Sequence, residues 1–494
     1  MSFGNPDTLI RQKAFYDIPV ASRIGRWLAP VMLIFADYLV TILALLTAYY
    51  FRDSFLRILF PDLSPLTVPS KYIYIIIPLI YVGLLLYERL YTKRLPFWQS
   101  AELVFKVSLF TMAITTVLLY FSGAAKEISR IFIISSWVFS YLYIVSERYL
   151  LKRLLVHIGL WQKPVVIIGA GKTAEMISQV YADEPGMGYK IVGLIEDNFK
   201  ERPLLEKYSL IGNFDNIEEA LRKSGVKDVI IAVPGLEREK MVELIYRIQP
   251  LIKNITIVPD LFGVPMANIE VEAFFNQKAI IFKIRNNMAS RYNRFLKRAF
   301  DLLGGVIGGL VILPIILFIA VRIYFDSPGP IIFAHSRIGS KGGVFPCYKF
   351  RSMVPDAQDI LEKYLQQNPT ARKEWERDFK LKDDPRITKI GKFLRKTSLD
   401  ELPQLLNVIK GEMSLIGPRP IVKEEVEKYG QYINDYYLIR PGMTGFWQVS
   451  GRNDINYDLR VQMDSWYVRN WSLWQDIVLL IKTVGVVLKR KGAY

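Results

Sequence analysis

The stretch "TSLDELPQLLNVIKGEMSLIGPRP", residues 397–420, sets two carboxylates side by side, Asp400 and Glu401, with Pro403 just beyond them. Arg419 sits between two prolines at its far end. A plain reading is open: Thr397 or Ser398 caps a helix N-terminus, and the acids favour the positive end of its dipole. A chemical reading is open too, because the segment brings adjacent acids toward cations on a stiff backbone. The rest of the chain narrows that chemistry. It has only two histidines, His157 and His335, and one cysteine, Cys347. An intramolecular disulfide and a cysteine zinc cluster are excluded, and histidine triads and His-rich metal sites nearly so. Acid–base or metal chemistry falls to Asp, Glu, Lys, Arg or Tyr. The net charge of +17 suits an anionic partner: nucleic acid, a phosphate substrate or a membrane surface.

A second pattern lies upstream. In "PVVIIGAGKTAEMISQVY", Gly169, Gly171 and Ala174 match the G-x-G-x-x-G/A turn between a buried strand and a helix. Glu196 and Asp197 follow some 25 residues on, at the end of "YKIVGLIEDN". Such a turn aims backbone amides at a pyrophosphate. It is equally a packing device in a domain that binds nothing, or that binds a regulator. With "VKDVIIAVPG" and "NITIVPD" as further strands, residues 160–285 predict a doubly wound parallel α/β domain. No catalytic Tyr-x-x-x-Lys accompanies it.

These sites need a scaffold, and the composition makes that scaffold a membrane one. The 494 residues are 51% hydrophobic despite 22% charge, so the apolar residues are concentrated. Four apolar segments, about 28–51, 72–91, 102–122 and 131–147, are long enough or nearly so to cross a hydrocarbon core of about 30 Å. The first contains Asp37, which either pairs with a neighbouring helix or lies near an end with access to water. Lys and Arg concentrate in the N-terminal tail (Arg11, Lys13, Arg23, Arg26), the 88–100 loop and the exit at Arg148, Lys152 and Arg153. That bias places the N-terminus, the second loop and everything after 148 in the cytoplasm.

A fifth apolar run, "LLGGVIGGLVILPIILFIAVRIYF", covers 302–325, with Arg291, Arg294, Lys297 and Arg298 before it and Arg322 near its end. If it crossed, the last domain would lie outside the cell. Pro314 near its middle removes a helix hydrogen bond and favours a sharp kink. We read it as a re-entrant helix that dips into one leaflet and returns, in preference to a tilted span. Gly304, Gly305, Gly308 and Gly309 allow close packing on another helix. From 326 on, residues 327–353 predict a hairpin, about 356–380 a polar helix, and "DDPRITKIGKFLRKTSLDELPQ" a basic helix delivering the acid pair. Trp466, Trp471 and Trp474 precede an apolar helix with basic residues at its end, the make-up of a helix lying in the interfacial plane or of a buried core helix.

"KRAFD", "YKFRSM", "LRKTSLDELPQLLNVIKGEMSLIGPRP", "RPGMTGFWQVSGRN" and "WSLWQD" together resemble the catalytic domain of bacterial monotopic phosphoglycosyl transferases, the polyprenyl-phosphate sugar-1-phosphate transferases. The resemblance covers about 295–494; four spans and a Rossmann-like insert ahead of it resemble the large subfamily. It implies a UDP-hexose donor, with galactose favoured over glucose, and an undecaprenyl phosphate acceptor, not nucleic acid. The products are then undecaprenyl-diphospho-sugar and UMP, the first membrane step of O-antigen, capsule or exopolysaccharide assembly. It also implies a re-entrant helix, although Leu313 stands where the family has a serine before the kinking proline. By the same resemblance Asp400 is the nucleophile that forms a sugar-phosphoryl intermediate. Glu401 is its positioning partner, and Mg²⁺ binds at Asp400 and Glu401. Arg419, rigid in Pro-Arg-Pro, is a phosphate clamp. Lys349, Arg395, Arg440 and Arg452 are further motif-matched phosphate ligands, and Asp476 is a family-type polar residue.

The fold expected is therefore a membrane α-helical bundle (1–155), an α/β Rossmann-like cytoplasmic domain (156–290) and an α+β monotopic catalytic domain (291–494) with a re-entrant, Pro-kinked membrane helix. The resemblance further implies a homodimer in the bacterial inner membrane, both globular domains facing the cytoplasm. Two rivals stand beside it. One is a membrane-anchored NAD-dependent sugar-nucleotide-modifying enzyme centred on residues 164–198, with Gly169, Gly171 and Asp197 as candidate nucleotide-binding residues. The other is a non-enzymatic scaffold of polysaccharide assembly.

Overall fold

A computed structural model describes residues 20–123, 128–198, 202–259, 270–274, 279–283, 287–378, 381, 384–450 and 456–489. The chain divides into two compact units, Met1–Leu261 and Phe262–Tyr494.

The first unit begins with helices at all four expected apolar segments. They are α1 (Val20–Tyr50), extended to Leu59 through a π-helical turn, α2 (Ile77–Tyr87), preceded by a π turn from Tyr72, α3 (Phe97–Phe121) and α4 (Arg130–His157). Only Ile24–Leu59 and Phe97–Phe121 of these are long and apolar enough to cross a bilayer; Tyr72–Tyr87 is a shorter apolar helix. α4 is long, but charges populate its second half. Leu33, Leu45, Tyr81, Leu85 and Ile144 pack inward. Val31, Phe35, Leu39 and Phe110 point outward and exposed, as lipid-facing side chains do. Asp37 does pair with a neighbouring helix: Arg148 donates from Nε at 3.1 Å and Nη2 at 2.6 Å, both partners buried.

The second part of this unit is a parallel sheet in the order β3-β2-β1-β4-β5. Its strands are β1 (Lys163–Ile168), β2 (Tyr189–Ile195), β3 (Leu210–Gly212), β4 (Asp228–Ile231) and β5 (Asn254–Ile257). Val165, Val166, Ile167 and Ile168 are buried on both faces, which is why this strand reads as a continuous apolar run. Helix α5 (Lys172–Asp183) follows β1. The sheet is tied to the bundle by Arg94, whose guanidinium lies 4.2 Å from the Trp161 ring and donates to the carbonyls of Trp161 and Met187, each at 2.8 Å. Burial pulls its pKa down to about 10.

In the second unit a two-stranded hairpin, β6 (Glu270–Phe274) and β7 (Ala279–Lys283), precedes α6 (Arg291–Asp326). α6 has 36 residues, about 54 Å of helix, and carries Pro314 inside it without a break in assignment. Its two ends are packed, whereas most of its middle is exposed, with Ile312 packing on a core. Near the start, an added Cβ on Gly304 would lie 2.6 Å from the Leu415 side chain, and one on Gly305 3.3 Å from Val408. Near the end, Ile319 and Ile323 join Phe350 and Leu394 in a core. Between them Val306, Ile307, Leu310, Val311, Leu313 and Ile315 are exposed. Close packing was expected of four glycines, but a Cβ on Gly308 or Gly309 would meet open space.

The expected hairpin forms from β8 (Ile332–Ile338) and β9 (Val344–Phe350), antiparallel. The expected polar helix is two, Ala357–Gln367 and Pro369–Asp378, because proline disfavours helix at the preceding Asn368 and starts the next. Next come α7 (Lys389–Thr397), α8 (Gln404–Lys410), the parallel pair β10 (Ser414–Ile416) and β11 (Gly442–Thr444), α9 (Tyr457–Arg469) and α10 (Leu473–Lys489). α10 is two-faced: Asp476, Val478 and Leu479 are buried, as expected of a core helix, whereas Ile481, Val484 and Val487 are exposed.

Candidate active site

The acid pair sits on a chain reversal made by its neighbours. Thr388 caps α7, its hydroxyl accepting from the Gly391 N–H at 3.0 Å. Helix α7 ends at Ser398, which takes a left-handed conformation with φ +57°. A 3₁₀ turn, Leu399–Glu401, then leads through Pro403 into α8. The cap expected of Thr397 or Ser398 is therefore absent. Ser398 closes the preceding helix, and the Thr397 hydroxyl donates back to the Phe393 carbonyl at 2.8 Å. The acids do lie just ahead of a helix N-terminus, that of α8.

Strand β9 brings Lys349 onto this turn. Its Nζ lies 2.7 Å from Glu401 Oε1 and 3.9 Å from Asp400 Oδ2. Arg395, in the last turn of α7, donates from Nε to Ser352 Oγ at 2.9 Å and faces Asp400. Asp400 is the more enclosed of the acids, 14% exposed against 35% for Glu401. Burial raises the Asp400 pKa above the ordinary carboxylate value; Lys349 opposes this most, Glu401 adds to it and Arg395 opposes it. Burial also lowers the Arg395 pKa, against the pull of Asp400 and Asp384. The result is a largely enclosed carboxylate, 14% exposed, under the influence of two cations.

Not every residue nominated from sequence gathers here. Arg419 is exposed and makes no ion pair among the described residues. It stands beside Arg337, whose pKa is lowered by burial and by Arg419 and raised by Glu425, 3.9 Å away. The Cys347 thiol feels both cation groups: burial raises its pKa, and Lys349 and Arg337 lower it. Arg440 is half-buried and faces Arg298 and Asp301 instead. Asp476 is not open to a substrate: it is fully buried, with Lys297 Nζ at 2.7 Å, the Tyr467 hydroxyl at 2.6 Å and Trp471 Nε1 at 3.1 Å. That makes it an anchor between α6 and α10. Arg452 lies outside the described residues.

Three neighbours escaped the sequence reading. Arg386, clamped on Asp384 through Nε at 2.8 Å and Nη2 at 2.6 Å, adds a cation near Arg395. The "DDPR" turn before α7 was the available signal. Arg337 was hidden in a strand. Asp464, buried in α9, accepts from the Tyr429 hydroxyl at 3.0 Å. Burial pushes its pKa up to about 7, with Tyr429, the Arg419 main-chain N–H and Trp447 pulling it down.

The acids suit a hard divalent cation: two adjacent carboxylates supply oxygen donors, and Lys349 Nζ already sits as a positive charge against both. No group of three His, Cys, Asp or Glu side chains with metal-site geometry occurs among the described residues, so the remaining positions would fall to phosphate and water.

The glycine turn of the first unit is filled from within. Gly169 has φ +100°, and an added Cβ would lie 2.8 Å from the Ala232 carbonyl, so only glycine fits. Gly171 is the N-cap of α5. Glu196, at the end of β2, accepts from the Ala170 N–H at 2.7 Å and from Asp197 and Asn198, each at 3.0 Å. Asp197 accepts from the Phe214 N–H at 2.8 Å. The amide that a pyrophosphate would use thus already serves a carboxylate, an arrangement that explains the turn by packing.

Residues 292–490 match a family described as bacterial sugar transferase, and residues 89–259 one described as CoA-binding domain. Over 412 residues the chain is 40% identical to the undecaprenyl-phosphate galactose phosphotransferase of Salmonella typhimurium, covering 82% of this chain and 84% of that one. It is 42% identical over 411 residues to the UDP-galactose-lipid carrier transferase of Erwinia amylovora, covering 82% and 84%. It is 30% identical over 344 residues to the UDP-glucose:undecaprenyl-phosphate glucose-1-phosphate transferase of Escherichia coli, covering 68% and 70%.

Proposed function

The chain belongs to the bacterial polyprenyl-phosphate hexose-1-phosphate transferases, and from that premise we propose that it carries a hexose 1-phosphate, galactose in preference to glucose, from its UDP-sugar to undecaprenyl phosphate through Asp400. The observation that carries this reading is the largely enclosed Asp400 carboxylate, 14% exposed and faced by Lys349 and Arg395. An Asp400 oxygen attacks the sugar-bearing phosphorus, and the bond from that phosphorus to the bridging oxygen breaks. UMP leaves with the bridging oxygen, and the hexosyl phosphate remains as an acyl phosphate on Asp400. A phosphate oxygen of the lipid carrier then attacks the same phosphorus and releases the carboxylate. One pyrophosphate bond replaces another, so positioning matters more than driving force. Lys349 and Arg395 lower the repulsion between carboxylate and phosphate at each step. A Mg²⁺ held by Asp400 and Glu401 would add charge neutralisation on the phosphate oxygens.

The membrane reading follows the charges. Both ends of α6 pack on one catalytic domain while its middle presents Val311 and Leu313, which supports a helix that dips into a leaflet and returns. A straight crossing would send those two ends to opposite sides of a bilayer about 30 Å thick. We read α1–α4 as a multi-pass bundle in the inner membrane, the α/β domain and the catalytic domain both facing the cytoplasm, and the assembly as a homodimer.

The test is intact-protein mass spectrometry after exposure to a panel of UDP-sugars without lipid acceptor. A gain of one hexosyl phosphate is expected with the true donor, and none in Asp400→Asn. If lipid-linked product accumulates while no adduct ever forms, the covalent route is wrong.

A further inference from the structure

The first unit encloses a cavity of about 420 Å³ where the start of α3, the end of α4 and the end of α5 meet. Its wall changes character along the helices. Val104 and Val145 lie about two turns deeper in the bundle than Phe97 and Lys152, so the inner end is apolar. The outer end is charged.

Lys152 is the residue that calls for a ligand. It is only 7% exposed, yet it pairs with no carboxylate and donates no hydrogen bond among the described residues. Its Nζ stands 5.7 Å from the Trp161 ring, and the residue lines the cavity. An aromatic face does not replace a counter-ion for a buried ammonium, and a phosphate in the cavity would supply one. Arg148 on the same wall is already neutralised by Asp37 at 2.6 Å. Arg153, one residue on, bonds among the described residues only the Tyr149 hydroxyl, at 3.1 Å. Across the cavity stand two carboxylates at the end of α5. Asp183 accepts from Gln179 at 2.8 Å, and Glu184 accepts from the Phe97 N–H at 3.1 Å. The lining therefore has a cationic side, an anionic side and an apolar floor. A nucleotide or a simple anion would meet the two acids and leave the floor unfilled. A zwitterionic lipid headgroup satisfies all three.

We propose that this cavity binds one phospholipid with an amine-bearing headgroup: its phosphate rests on Lys152 and Arg153, its ammonium on Asp183 and Glu184, and its first chain carbons on Val104 and Val145. This site stands apart from Asp400 and does not depend on the reading of the active site.

The full-length protein, delipidated in detergent, is titrated with short-chain phosphatidylethanolamine, with phosphatidylglycerol of the same chains, and with inorganic phosphate. Native mass spectrometry reports occupancy and thermal melting reports protection. One phosphatidylethanolamine per chain is expected, with phosphatidylglycerol at least tenfold weaker and phosphate giving no protection. Lys152→Met should weaken binding about tenfold, the loss of one charge-assisted hydrogen bond, and Lys152→Arg should restore it. Asp183→Asn with Glu184→Gln should abolish the preference between the two lipids. Equal binding of both lipids by the wild type, protection by phosphate alone, or undiminished binding by Lys152→Met overturns the proposal. Should Lys152→Met fail to fold, the wild-type comparison of the two lipids still decides.

Discussion

Lys297 is the sharpest point at which to test how α6 is held on the catalytic domain. Its ammonium lies 2.7 Å from Asp476 and 3.1 Å from Asp301, and all three side chains are at most 4% exposed. Asp301 also accepts from Ser414 Oγ at 2.9 Å and the Leu415 N–H at 3.1 Å, so it ties α6 to β10. Lys297→Met keeps the packing volume but strands two buried carboxylates. Breaking a buried pair this way costs about 3–5 kcal/mol. For a unit of this size each kcal/mol lowers Tm by about 2–4 °C, so a drop of roughly 6–20 °C is expected. The sign with pH is fixed by Asp476, whose pKa burial raises above the ordinary carboxylate value while Lys297 pulls it down. Without Lys297 that pKa rises further. A raised folded-state pKa gives stability that is present at low pH and lost as pH rises through it. The variant should therefore lose more at pH 8 than at pH 5. Melting of the detergent-solubilised protein across that range is the assay. A Tm within about 2 °C of wild type, or a deficit that shrinks as pH rises, would mean that Lys297 does not hold the two carboxylates in place.

Asp464, pushed up to about 7 by burial, should make wild-type stability fall as pH rises through neutrality. Asp464→Asn should flatten that dependence, which melting curves between pH 5 and 8.5 would reveal. In α6, Gly304→Leu should cost about 1–3 kcal/mol by overpacking against Leu415, whereas Gly308→Ala, facing open space, should gain about 0.5–1 kcal/mol of helix propensity. Paired thermal denaturation of the two variants checks the contrast. Asp37→Ala leaves the Arg148 guanidinium unpaired in the bundle and should destabilise it by about 3–5 kcal/mol. Adding Arg148→Met should recover part of that loss in a double-mutant cycle.

Features that are local or periodic were legible in the chain alone. Apolar runs marked the helices α1–α4 and four of the five parallel strands, because buried strands and membrane helices carry hydrophobic residues without interruption. The missed strand, Leu210–Gly212, is three residues long and too short for any period to register. Pro369 could have been read as a helix boundary and was not. The acid pair was legible as well, since Asp400 and Glu401 are neighbours and need no fold to bring them together. Its partners were less so. Lys349 reaches the pair across 52 positions of chain, Arg148 reaches Asp37 across 111, and Lys297 meets Asp476 from the far side of the domain. Charge pairing at such separations is set by which faces pack, not by spacing. Only the tertiary structure could therefore divide the nominated residues into Lys349 and Arg395 beside Asp400, Arg419 beside Arg337, and Asp476 sealed in the core. The same holds for Glu196: its place near the glycine turn was legible, but that it fills the turn itself depends on β1 and β2 lying side by side.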